Sequence, residues 1–473
     1  MTNDFNNNKE LEENIQKYEE AKKNGTSIFL DADQLADIAE HYYMSGRKDD
    51  AMQTIEYAIS MFPGSVLPLC FLAREAIVDN NIAMAEQLAK QIDDKQHIEY
   101  FFLLAEIMLA KSECKQADIQ MEQCYEDTEE AERDGVAIDT ANLFFDYEQY
   151  DYCEKWLNKC HDKSTVSYRS LQARLAWCKG NHDEFQQLIN KFIDEDPFCC
   201  DYWNNLASSQ FLNNEFTKSI ESCEYSLAIE PDNSQALLLK ANCLSALTNF
   251  EEAAHYYELY AEQTPYSEFG ELLLGSCLSN LGKYEEALAH YSKALDICPI
   301  TSPNLFQIYK EYAYALACLK RLDEALALLD RSSSIPDTEA STLLAFRGIC
   351  YLINDIIDEA DLCFTKALNT ATEELAPQIR LDIASAILDN SSPYWAYDIL
   401  HEAYNGESSN NLTYGWGYYA LSCYETGHWE EFLYALEKVC TINPTEAQQA
   451  LGEIFPPGLP VEDYVSYSKN HPK

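Results

Sequence analysis

The sequence predicts an all-α protein, a right-handed superhelical solenoid of about twelve helix-turn-helix hairpins. Three observations carry that reading. First, Pro231, Pro265 and Pro299 stand 34 residues apart, and Leu206-Ala207, Lys240-Ala241 and Leu274-Gly275 recur between them at one shared place. Phe216, Phe250 and Tyr284 recur at another, and a fixed period of this length marks a repeat array. Second, apolar residues follow helical spacing inside a copy: Ala287, Tyr291 and Ala294 fall at i, i+4 and i+7, on one helical face. Third, Gly282-Lys283 separates them from an earlier apolar segment around Leu272-Leu273-Leu274. Each copy is therefore two amphipathic helices with a short turn, closed by proline. A single hairpin cannot bury its apolar face, so the copies must stack.

These residues resemble the tetratricopeptide repeat family, whose 34-residue pattern places a small residue at position 8, aromatics near 11 and 24, alanine at 20 and 27 and proline at 32. The copy ending at Pro299 carries nearly all of it, with Gly275, Gly282, Tyr284, Ala287, Tyr291 and Ala294. The resemblance implies stacked hairpins, no catalysis and a role as an interaction scaffold, like bacterial cytosolic members with many repeats. In the members that hold acidic chaperone tails, Lys, Arg and Asn form a carboxylate clamp. Here Ala36, Cys70 and Phe102 occupy position 5 of the first three copies, so that clamp is missing there.

Taken in order, residues 1–31 form a polar segment with a charged helix from Lys9 to Lys23. The array runs over residues 32–446 and is most regular at 200–300; residues 447–473 supply a capping helix and a C-terminal tail beyond Pro456-Pro457-Gly458. The first hairpin shows Ala39, Tyr42, Gly46, Ala51, Ala58 and Pro63, and the last Trp416, Ala420, Gly427, Trp429 and Pro444. Turns are expected near Gly46, Gly180, Asn249, Gly282 and Gly427. Glu126 to Asp134 reads as a helix end or loop, and Pro303 should open a longer loop around Thr301 to Leu305. Arg169, Glu271 and Arg380 stand at position 4 where the pattern prefers apolar residues, and Phe185 and Phe432 replace small residues at position 20. Those copies are expected to pack more loosely or with altered tilt.

Eighty acidic residues against 33 basic give a net charge of −47, which repels nucleic acid and anionic membranes. The expected partner is a protein or peptide, neutral or basic; the charge serves first to solvate a large surface. Seventeen scattered cysteines without a C-x-x-C pair read as small buried apolar residues in a reducing compartment. The N-terminus lacks a signal peptide's basic start and apolar core, and no run of 18 apolar residues occurs, so the cytoplasm is the expected location.

No metal, cofactor or catalytic motif emerges. The nine histidines are dispersed. Gly415-Trp416-Gly417-Tyr418-Tyr419-Ala420 spells a dinucleotide fingerprint, but no strand precedes it and its residues already fit the repeat. The remaining candidate is a groove formed by positions 5, 9 and 12 of successive first helices, which share one face and line up at the repeat period. Its expected residues are Arg174, Trp177, Asn204, Ser208, Phe211, Asn242, Ser245, Ser276, Ser279 and Tyr314. The stripe is neutral in an acidic chain, with amides suited to a peptide backbone and aromatics to its side chains. A peptide-sensing regulator and an enzyme with an unrecognised site are the alternative readings.

Overall fold

The computed structural model describes residues 2–26, 29–300, 302–335, 338–390, 392–405, 412–456 and 458–471. Thr301 of the expected long loop, Pro457 of the expected helix stop and the last two residues lie outside them. Among the described residues all regular structure is helical. The chain divides into two compact units, Met1–Asn249 with Leu259–Ser267, and Phe250–Glu258 with Glu268–Lys473.

The first unit opens with α1 (Thr2–Asn24), the expected charged helix, whose Tyr18 is buried beside Tyr42. Helix pairs then follow: α2 (Ala32–Met44) with α3 (Lys48–Met61), α4 (Val66–Val78) with α5 (Ile82–Gln91), α6 (Ile98–Ala110) with α7 (Cys114–Asp127), and α8 (Arg133–Asp146) with α9 (Tyr150–Leu157). After them come α10 (Val166–Cys178) with α11 (His182–Glu195), α12 (Cys200–Leu212) with α13 (Phe216–Ile229), and α14 (Ser234–Ala246) with α15 (Phe250–Gln263), the last divided between the units. The second unit continues with α16 (Glu268–Asn280) and α17 (Tyr284–Ile297), α18 (Leu305–Cys318) and α19 (Leu322–Ser332), and α20 (Ala340–Ile353) and α21 (Ile357–Thr370). It ends with α22 (Ala376–Asn390) and α23 (Pro393–Tyr404), α24 (Trp416–Thr426) and α25 (Trp429–Ile442), then α26 (Pro444–Leu451) and α27 (Tyr464–Asn470). First helices of neighbouring hairpins touch, as α10 touches α12 and α12 touches α14. The acidic stretch falls partly in α7 and partly in the connection to α8, and the connection containing Pro303 spans residues 298–304.

In eleven hairpins the reversal passes through one left-handed residue among the described residues. Gly46, Gly180, Gly282 and Gly427 have φ of 81°, 77°, 72° and 82°. Asn80, Ser112, Glu148, Asn214, Thr248, Lys320 and Asp355 hold the same place with φ between 55° and 64°. The turn expected near Asn249 is thus centred on Thr248. Two backbone bonds recur at ten of these reversals: Gly282 N–H donates to Ser279 O and Lys283 N–H to Leu278 O, both at 2.9 Å, as Asn80 and Asn81 donate to Ile77 and Ala76; at Gly427 the N–H donates to Cys423 O instead. Satisfying the last carbonyls of the first helix is what makes this conformation worth its strain, which is small for glycine and larger for the others.

Position 8 is where the two helices of a hairpin approach most closely. A Cβ on Gly275 would lie 2.6 Å from the Tyr291 ring, and one on Gly348 would lie 2.5 Å from the Phe364 ring. In these two hairpins a large ring covers a glycine. Where Ala207 or Ala313 holds the position, the residue sixteen later is the smaller Cys223 or Leu329, and all four are buried.

Each polar residue at position 4 meets an opposite charge on its own second helix. Arg169 donates to Glu195 at 2.7 Å, and Arg380 to Glu402 at 2.7 Å. Glu271 is buried and accepts from His290 at 2.8 Å and from Lys293. Burial alone would raise the Glu271 carboxyl, but the His290 and Lys293 contacts outweigh it and hold it below its ordinary value. The oversized position-20 residues are also packed: Phe185 meets the Trp177 ring edge-on at 5.3 Å, and Phe432 lies between Tyr424 and Trp429.

Candidate functional site

The first unit contains a groove of about 500 Å³ between α10 and α12. Ser170, Arg174, Trp177 and Cys178 enter it from α10 at spacings that share one helical face. From α12 come Asp201, Asn205, Ser208 and Leu212, on a face of the same kind, while Phe145 and Gln235 close the ends. Trp177 is held by His182, with ring centroids 4.4 Å apart, and by Phe185 beneath it. The Arg174 guanidinium lies over the Phe145 ring, 4.4 Å from its centroid. The Ser170 hydroxyl is buried there without a hydrogen-bond partner.

The structure brings Arg174, Trp177 and Ser208 into this groove, and it separates the roles of the three stripe positions. Position 5 differs between copies: Ser170 lines the groove, whereas Asn204 is closed by the neighbouring hairpin, being 3% exposed with its amide donating to Asn233 Oδ1 at 3.2 Å. Asn233 caps the start of α14 with that same oxygen, so Asn204 ties two hairpins together instead of facing the groove. Its own Oδ1 is left without a partner. Position 12 varies. Trp177 lines the groove, Phe211 packs on Phe216 at 5.6 Å, and Ser245 is half-buried. Ser279 is buried and bonded to the Tyr291 hydroxyl at 3.0 Å. Position 9 stays open: Arg174 is exposed, and Ser208, Asn242, Ser276 and Tyr314 are half-buried. Ser276 and Tyr314 belong to the second unit. Sequence spacing missed Asn205, Leu212 and Asp201, which lie on α12 one residue around from the expected face. The capping residue Asn233 was the signal that Asn204 had a neighbour to serve.

Position 9 has a charge pattern of its own. In the early hairpins Arg74 at this position is saturated, with Nε 3.0 Å from Glu106 at the same position of the next hairpin and Nη2 2.8 Å from Glu99. Burial raises the Glu106 carboxyl and Arg74 opposes that rise. In the second unit the surroundings of Tyr314 are acidic: the carboxyls of Glu311, Asp382 and Asp389 are all raised, chiefly by burial. Glu311 and Asp382 accept from Gln307 and Gln378 at 2.6 and 2.8 Å.

The dinucleotide-like stretch is accounted for by Glu446. Its carboxylate accepts from Gly415 N–H at 3.1 Å and Gly417 N–H at 2.7 Å, so the start of α24 already holds an anion from its own chain.

Residues 269–337 match the tetratricopeptide repeat family. Over these residues the chain carries the tetratricopeptide repeat pattern. Among solved structures, these repeats resemble YrrB, described as a TPR protein with an unusual peptide-binding site, at 19% identity over 40% of this chain and 96% of that one, with a TM-score of 0.33. A tetratricopeptide repeat protein from Parabacteroides merdae matches at 16% identity over 54% of this chain and 98% of its own, with a TM-score of 0.38. MamA matches at 17% identity over 38% and 94%, with a TM-score of 0.32. Comparison with curated proteins gives no match. No described helix is long and apolar enough to cross a membrane.

Proposed function

We propose that this tetratricopeptide repeat protein is a non-catalytic scaffold whose α10–α12 groove takes an extended segment of a protein partner. The observation that supports the reading is the composition of the groove wall: one cation, one acid, three aromatic rings of which Trp177 is braced by Phe185, and short amides and hydroxyls, around about 500 Å³ of open volume. Such a wall suits a peptide, because amides pair with its backbone and a rigid ring anchors a side chain at low entropic cost. The hydroxyl of Ser209 in the same wall is spent on Leu206 O at 2.8 Å rather than held by a base, as a nucleophile would be. A reducing compartment such as the cytoplasm fits the thiols, since all seventeen cysteines are free and most are buried. The test is to fill the groove: Ser208→Trp should abolish binding of a segment selected on the intact protein, measured by calorimetry, while circular dichroism and melting temperature stay close to the parent. Binding that survives Ser208→Trp would place the partner elsewhere.

A further inference from the structure

We infer that the segment taken by the α10–α12 groove carries an acidic side chain, read by Arg174, beside an apolar residue packed on Trp177; this rests on the groove reading above. The inference starts from the accounting of arginines in a chain with a net charge of −47. With acidic residues so abundant, six of the nine arginines find carboxylate partners among the described residues, as Arg74 has Glu99 and Glu106, and Arg169 has Glu195; Arg133 donates to the backbone oxygens of Thr128 and Glu126, and Arg331 lies over the Tyr309 ring. Arg174 makes no ion pair or side-chain hydrogen bond among the described residues, and its guanidinium is placed only by the Phe145 ring.

The cause lies in the order of position 9. Arg74 is followed one hairpin later by Glu106, whereas Arg174 is flanked by Asn142 before it and Ser208 after it. Asn142 turns its amide onto Ile138 O at 3.1 Å. The one acid in the groove wall, Asp201, does not reach ion-pair distance of Arg174. The guanidinium is therefore held by a ring face, which fixes its plane and leaves its five donors unspent. A carboxylate is the group whose geometry those donors match. Overall negative charge does not prevent this, because at physiological ionic strength charges beyond about 8 Å are screened while a contact pair is not. Asp201 sets the direction, since it repels an acid from the start of α12 and favours its placement over α10.

The experiment selects a phage-displayed random decapeptide library on the full chain and measures a labelled winner against variants. Winners enriched in Asp or Glu next to an apolar residue are expected. Such a peptide should lose roughly tenfold in affinity on Arg174→Gln, the scale of one charge-assisted hydrogen bond. It should gain severalfold on Asp201→Asn, and a Glu-to-Lys version should be preferred by Arg174→Glu. Both residues are solvent-facing, so the variants keep the fold, as melting temperature will confirm. Winners without acidic preference, or unchanged affinity on Arg174→Gln while Ser208→Trp still blocks, overturn the assignment to Arg174 and leave the groove reading standing. Winners indifferent to Ser208→Trp, or no winners at all, overturn both.

Discussion

Gly348→Ala, a change that ordinarily strengthens a helix by about 1 kcal/mol, is expected to weaken this one. The added Cβ would stand 2.5 Å from Cε1 and 2.6 Å from Cδ1 of Phe364, and 3.2 Å from Ala360 O. Carbon atoms settle at about 3.5–4.0 Å, so ring or helix must retreat by about 1 Å. The ring is 1% exposed and packed on Trp395, with centroids 5.6 Å apart. Overpacking of this kind costs about 1–3 kcal/mol, which after the helix gain leaves a net loss of up to about 2 kcal/mol. Phe364→Leu alone opens space and is expected to cost about 1–2 kcal/mol. The pair together should be close to the parent, giving a coupling energy equal to the sum of the two single losses, about 1–4 kcal/mol. Denaturant unfolding followed by circular dichroism reads the totals, and hydrogen exchange over α20 and α21 shows whether the loss is local. A stabilising Gly348→Ala, or a double variant no better than the sum of the singles, would refute the idea that ring and glycine are fitted to each other.

Thr248→Gly should stabilise the first unit by about 0.5 kcal/mol, since relief of left-handed strain exceeds glycine's added unfolded-state entropy; Gly282→Ala should cost about 1 kcal/mol at the matching turn. Thermal melts of both decide whether strain at these turns is real. Because the Glu271 carboxyl is held below its ordinary value of 4.5, its contribution is present at neutral pH and is lost as pH falls through the folded-state value. Glu271→Gln should flatten that acid limb in denaturant titrations between pH 7 and 3. Glu311 has the opposite sign: its carboxyl is raised by burial, so ionisation opposes folding at neutral pH and protonation relieves it. Glu311→Gln should stabilise the second unit at pH 7 and do little at pH 4, and equal effects at both would remove burial of the charge as the cause.

The hairpins were legible because each depends on local information: small residues at close approaches, aromatics between helices and a left-handed turn every few dozen residues. The groove was legible only in part. A first-helix residue's environment depends on the rotation of its helix against the next, and spacing fixes the face to within one residue at best. Asn204 and Asn205 show the cost of that step, since one is buried on α14 and the other faces the groove. The partners of the polar residues at position 4 were illegible for a different reason. Arg169 and Arg380 break the apolar pattern in the sequence, but the compensating Glu195 and Glu402 sit more than twenty residues away, where no periodic signal marks them.

Those ion pairs carry a consequence for how such a chain can change. Glu271 with Lys293 and Arg380 with Glu402 are the same bridge with its signs exchanged, each spanning 22 residues, and Arg169 closes with Glu195 across its own hairpin. Each copy neutralises its irregular position-4 charge internally, so that charge makes no electrostatic demand on the copy stacked beside it. The polarity of such a bridge is free to invert in one copy without a matching change in its neighbours.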